Sequence, residues 1–191
     1  MRSSGSTRKP PPKSALRLFV VLAGEDHPKA CTGRRLLRWR RVVRLPREDA
    51  SSPSPVVLDP YAPTPLSAAD LGAAERGGLL AVDCSWNRLA SRGTFPGAGS
   101  RNRSRGTHRR LPILIAANPQ HYGRVAELNT VEALSAALSV LGRVEAAEQL
   151  MEGFRGGAEF LEVNRTRLDR YRAAADPVDV AALEKEIFGA M

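Results

Sequence analysis

LLAVDCSW, residues 79–86, decides the fold. Leu79 to Val82 are apolar and too few for a helix, and Asp83 to Trp86 turn polar. This is the pattern of a buried strand that carries an acid and an indole into a turn. Two further apolar runs lie upstream, LRLFVVLA (16–23) and VVLDP (56–60), and both read as short buried strands. Between the second and third runs, Ser67 with Asp70 three residues on marks a helix start, and Gly77-Gly78 closes that helix. GEDHPKACTG (24–33) is a loop punctuated by Gly24, Pro28 and Gly33. RRLLRWRRVVRLP (34–46) reads as one basic helix anchored by Leu36, Leu37 and Trp39, and residues 49–55 as a linker. LPILIAANP (111–119) is apolar and stops at Asn118-Pro119.

From Val125 the rhythm becomes helical. Val131, Leu134, Ala137, Leu138 and Leu141 fall on one face, and Phe154, Phe160, Leu161, Leu168 and Tyr171 are core anchors further on. Strand–helix alternation followed by helices predicts an α/β fold, a parallel sheet with an all-helical C-terminal part. Three parts follow: a disordered basic arm at 1–14, an α/β domain at 15–105 and a mainly helical domain at 106–191.

With 191 residues the chain can bury one core or two small ones. No apolar run approaches the ~18 residues of a membrane helix. Two cysteines, with no CxxC, exclude a disulfide scaffold or zinc ribbon. Net charge is +9, and 25 of the 29 cations are arginine. The charge is segregated: residues 1–50 carry +9, 51–86 carry −3, 87–124 carry +8 and 125–191 carry −5. Two basic segments that meet in space make one surface for a polyanion, usually nucleic acid. A GC-rich coding sequence would give the same arginine bias.

In an open parallel sheet ligands sit beyond the carboxyl ends of the strands. Here those ends lead into EDHPKACTG, LDPYAPTPLS and DCSW, and AANPQHYGR follows the apolar LPILI. No phosphate-binding glycine fingerprint is present. His27, Cys31 and Cys84 are too scattered for a metal site, and the three histidines suggest no catalytic triad.

DHPKACTG, LDP, DCSW, RLPILIAANPQHYG, LNTVEALSAAL and a Phe154-to-Asn164 FxxGxxFLxxN pattern come in a fixed order from about Leu16 to Tyr171. In that order they resemble the small-subunit ribosomal RNA aminocarboxypropyltransferase family. The resemblance implies a SPOUT-like knotted parallel sheet followed by helices. It implies S-adenosylmethionine (SAM) as cofactor, with transfer of its 3-amino-3-carboxypropyl (acp) group to N3 of a uridine or (methyl)pseudouridine in small-subunit rRNA during ribosome biogenesis. It places Thr32 near the ribose, Leu58 and Pro60 at the adenine, and Asp83 and Trp86 at the sulfonium and side-chain end. Tyr122 and Leu111 would line the adenine pocket. Four positions depart from the family pattern: His121 stands for the usual Asn, Gly156 for a common Trp, Ala158 for a common His and Asn129 for Ser or Thr.

The reaction needs help to remove a weakly acidic ring proton and a choice between carbons on one sulfur. Asp83 is the catalytic candidate, as a base or as a ligand to the amino group or sulfur; it reads equally as a cap for the segment at Cys84. Trp86 reads as a wall against the methyl group or as a core indole capping the sheet. Arg34, Arg35, Arg38, Arg40 and Arg41 on the basic helix are candidate phosphate contacts. Arg101, Arg103, Arg105, Arg109 and Arg110 in the long loop are others. The expected partner is small-subunit rRNA or the pre-ribosomal small subunit. The protein is expected to be monomeric and cytoplasmic, without membrane or metal. A SPOUT-type rRNA methyltransferase and a non-catalytic ribosome-assembly module are the alternatives.

Overall fold

A computed structural model of the chain describes residues 16–24, 31–45, 54–92 and 106–189. The arm at 1–14 and most of the 91–105 loop lie outside them. Five strands form one sheet: β1 (Leu18–Leu22), β2 (Val43–Arg44), β3 (Val56–Leu58), β4 (Leu79–Asp83) and β5 (Thr107–Arg109). Their order is β2-β1-β4-β3-β5 and every pairing is parallel. The helices are α1 (Thr32–Arg38), α2 (Leu71–Gly77), α3 (Trp86–Arg92), α4 (Thr130–Val140), α5 (Val144–Met151), α6 (Gly157–Val163), α7 (Arg165–Ala173) and α8 (Pro177–Phe188).

The three central strands, β1, β4 and β3, are covered on both faces, and the period of two sorts their side chains. Val20, Val56, Leu58, Leu79 and Ala81 enter the larger core with Leu36, Leu134 and Leu138. Phe19, Val57 and Leu80 enter a smaller one with Leu89, against which the Trp86 ring packs. Helix α4 is the hub: it packs on α1, α5, α7 and β4, and of its eleven residues only Ala133 is not fully buried. Small residues such as Ala136, Ala137 and Ser139 let neighbours approach, and the Ser135 hydroxyl donates to the Ala147 carbonyl at 3.1 Å.

Two elements differ from the sequence reading. The basic helix stops at Arg38 instead of continuing to Pro46. Arg40 adopts a left-handed backbone (φ 55), its N–H bonds the Leu37 carbonyl, and the Arg41 N–H bonds the Leu36 carbonyl. This is a Schellman closure with arginine where glycine is usual. The freed chain then forms the edge strand β2. The fifth strand is polar THR, at the end of the basic stretch read as loop. LPILI forms no strand; Pro112 lacks an N–H, and the neighbouring amides are taken up by helix side chains. The Ile113 N–H donates to Glu184 and the Ile115 N–H to Asn164 Oδ1.

Candidate active site

A cleft of about 1040 Å³ opens beyond the carboxyl ends of β3 and β4. The first residues of α1, α3 and α4 border it, as do the chain at 110–113 and 118–130 and the turn at Phe154-Arg155. Thr32, Leu58, Pro60, Asp83, Trp86 and Leu111 all line it. The sequence keeps them more than fifty residues apart in places, and the parallel topology brings their strand and helix ends to one rim.

Asp83 ends β4 and is buried. One carboxylate oxygen accepts from the Cys31 thiol at 2.6 Å, and the other accepts from the Thr130 hydroxyl. Cys31 also caps α1, accepting from the Arg34 N–H at 3.3 Å. Burial and the bond to Asp83 push its thiol up to about 12, so it remains a neutral donor. Gly33 is necessary here, because a Cβ at that position would lie 2.9 Å from the Asp83 carboxyl. One acid therefore ties the starts of α1 and α4 to the end of β4.

Trp86 opens α3, and its Nε1–H donates to the Leu128 carbonyl at 2.8 Å. That bond fixes the indole across the cleft against the 124–129 loop, where Ala126 is held at φ 63. Next to Leu58, Asp59 is buried; it accepts from the Tyr61 N–H at 2.9 Å and pairs with His108 Nδ1 at 2.8 Å. Tyr61 reaches over to donate its hydroxyl to the Leu89 carbonyl at 3.1 Å.

The wall at 110–118 is strapped by buried acids and amides of the helices. Arg110 makes a two-pronged pair with Glu184 at 2.6 and 2.7 Å, and Tyr171 donates to the Ile113 carbonyl at 3.2 Å. Asn164 brackets Ile115 on both its N–H and carbonyl. Glu132 accepts from the Ala117 N–H, the Asn118 amide and the Asn129 N–H. Every buried charge here is matched by donors, as it must be.

Tyr122 corrects the sequence reading. It stands 74% exposed at the tip of the 118–124 turn and does not line the cleft. The bonds Asn118 Oδ1 to the His121 N–H (3.0 Å) and Gly123 N–H to the Ala116 carbonyl (2.8 Å) turn His121 inward instead. His121 and Arg124 both bond Glu127 at the rim. Burial pushes Glu127 up, but those two partners outweigh it and hold the carboxyl below its ordinary value.

The arginines divide. Arg34 and Arg38 are exposed, one turn apart on α1. Arg35 is folded inward: its guanidinium lies 4.6 Å from the Trp39 ring and 4.9 Å from the Phe154 ring, and it donates to the Gly153 carbonyl. Arg41 donates to the Leu150 and Glu152 carbonyls. Arg109 pairs with the buried Asp70 at 3.0 Å. These three also serve as internal staples, each partly exposed. Arg101, Arg103 and Arg105 lie outside the described residues. Sequence reasoning did not single out Cys31 as a donor, nor Thr130, Asp59, Glu132 or Arg155. Only Asn129 with Glu132, a cap pair ahead of an apolar run, gave a signal for any of them. Among the described residues no cluster of His, Cys, Asp and Glu could hold a metal ion, and no helix is long and apolar enough to cross a membrane.

Residues 56–188 match the family model described as ribosome biogenesis protein, C-terminal. The 16S rRNA aminocarboxypropyltransferase of Halobacterium salinarum is 41% identical over 170 residues, 89% of this chain and 95% of that protein. The protein of the same name from Methanopyrus kandleri is 44% identical over 170 residues, 88% and 96% of the two chains. The structure of the SAM-dependent rRNA:acp-transferase Tsr3 from Vulcanisaeta distributa matches at a TM-score of 0.79 and 33% identity. It covers 92% of this chain and 90% of that one.

Proposed function

This chain belongs to the 16S rRNA aminocarboxypropyltransferase family, and on that premise we propose that it transfers the acp group of SAM to a uracil-type base of small-subunit rRNA. The observation that carries this is the convergence of Thr32, Leu58, Pro60, Asp83, Trp86 and Leu111 on one cleft beyond the strand ends. The cleft suits a cationic nucleoside. Leu58, Ala81, Leu111 and Leu128 give apolar walls, and Asp83 places a fixed carboxylate at its floor.

Bound there, SAM would supply the acp carbon for attack by the target nitrogen, with methylthioadenosine as the leaving group. Asp83, with both oxygens accepting hydrogen bonds, acts as a stationary counter-charge, and the ring proton released from the target base passes to water in the open cleft. The Trp86 ring, held by Leu128, walls off one side of the sulfur position, so that one carbon is presented and another covered. Thr32 offers its hydroxyl at the start of α1. The N3 position of the target, a SPOUT-like knot around the strapped 110–118 segment, a monomeric state and a cytoplasmic, pre-ribosomal setting complete the reading. The division at residues 15–105 and 106–191 also belongs to it, with β5 joining the second part to the sheet.

The test is SAM labelled separately on its methyl and carboxyl carbons, incubated with small-subunit rRNA. Carboxyl label alone should enter the RNA. Methyl label in the RNA would replace this reading with a methyltransferase, and no label with RNA binding retained would leave an assembly module.

A further inference from the structure

On the far side of the Phe154 turn lies a second hollow of about 520 Å³, lined by Arg38, Trp39, Arg40, Arg41, Glu152 and Gly153. Gly153 lines this groove and the next residue, Phe154, lines the cleft, so the two hollows meet at one tight turn. Across that ridge, Arg155 projects into the cleft exposed. Arg38, Arg40 and Arg155 carry no ion pair or side-chain hydrogen bond among the described residues. Arg41 is held by two carbonyls, so its charge is fixed at the groove wall. Glu152 is the groove's one acid.

Arg40 adds an independent observation. It occupies the left-handed closing position of α1, which costs an arginine roughly 1 kcal/mol that glycine avoids. A strained backbone position that displays a cation at the edge of a basic groove points to use of that cation. Trp39 is already engaged by Arg35, Arg41 and the edge of Phe154, whose ring centroid is 4.8 Å away. With two guanidinium groups already on this ring and the groove lined by arginines, phosphate recognition fits the groove better than base stacking.

Resting on the transferase reading, we propose that this groove is a subsite for the phosphodiester backbone of the rRNA strand next to the target nucleotide. The strand lies along Arg38 and Arg40, crosses the ridge at Phe154, and turns its target base into the cleft beside Arg155. The ridge thereby couples unstacking of one base to anchoring of its neighbours.

The experiment uses the full chain and a fluorescent twelve-nucleotide oligouridylate, with anisotropy measured across a salt series. Each single-strand phosphate contact contributes about 0.7 to the slope of log affinity against log salt. The double variant Arg38→Gln/Arg40→Gly should lower that slope by about 1.4 and weaken binding about 25-fold at 0.1 M salt. Its melting temperature should not fall, because glycine relieves the left-handed position. The matched double variant Arg165→Gln/Arg172→Gln, which removes two cations of α7, should leave slope and affinity unchanged. An unchanged slope in the groove variant, an equal loss in the α7 variant, or no salt-dependent binding by the wild-type chain would each overturn the subsite. SAM binding and acp transfer by the wild-type chain are measured alongside, so failure of the groove and failure of the transferase reading are separable.

Discussion

At the scale of single residues the site is organised by buried acids whose donors come from distant parts of the chain. Thr130→Val removes one donor from Asp83 and keeps the shape. A hydrogen bond to a buried charge is worth about 1.5–3 kcal/mol, so unfolding should occur roughly 5–10 °C lower by calorimetry. Cys31, raised to about 12 by burial and by Asp83, should resist iodoacetamide at pH 9 in the native protein and react once the chain is unfolded in guanidinium, as read by peptide mass spectrometry. A similar titration governs the rim. Glu127 has a lowered folded-state pKa, so its contribution to stability is full above the ordinary carboxylate range and fades as pH falls through the folded value. His121→Ala should lower the neutral-pH plateau slightly and so flatten that acid limb, with stability below the folded value unchanged. The motifs named Asp83, Trp86 and Thr32, and all three line the cleft. They did not name Thr130, because nothing in the spacing of residues 83 and 130 shows that a helix start will meet a strand end.

At the scale of elements, legibility followed hydrophobicity. LFVVL, VVL and LLAVD became strands because apolar β-branched runs bounded by turns have few other uses. THR became a strand through register alone, pairing Val56 to Leu58 with Thr107 to Arg109, and its composition carried no sign of it. LPILI had the composition of a strand and lacks one, since its amides are met by Glu184 and Asn164. This sets a sharp test. Glu184→Ala strands Arg110 and the Ile113 N–H in a buried setting and should cost about 3–5 kcal/mol. Tyr171→Phe loses only the bond to the Ile113 carbonyl and should cost about 1 kcal/mol. Denaturant melts of the two variants should therefore separate clearly; equal losses would mean that the strap works by packing alone. The basic helix was overextended for the converse reason, since an arginine at the left-handed position gives no glycine to read.

At the scale of the whole molecule, segregated charge was visible in the sequence, but its use was not. Of six arginines between residues 34 and 44, Arg35 and Arg41 hold the helical part against α1, and the rest face outward. The net +9 therefore overstates the surface available to RNA. Interdependence of the two parts is the stronger statement. A fragment ending at residue 125 retains all five strands but loses Glu132, Asn164, Tyr171 and Glu184. It should show a weak, non-cooperative thermal transition by circular dichroism where the full chain melts in one step.

The strap from α8 to the 110–113 wall has a temporal meaning as well. Arg110 finds its carboxylate partner 74 positions later. As the chain is made from its amino end, the wall of the cleft must wait, uncommitted, until that late glutamate has emerged. Strand pairing can begin early, yet a competent pocket arrives only after Glu184 has emerged. A nascent chain is thus kept from engaging its nucleoside before its helices have docked.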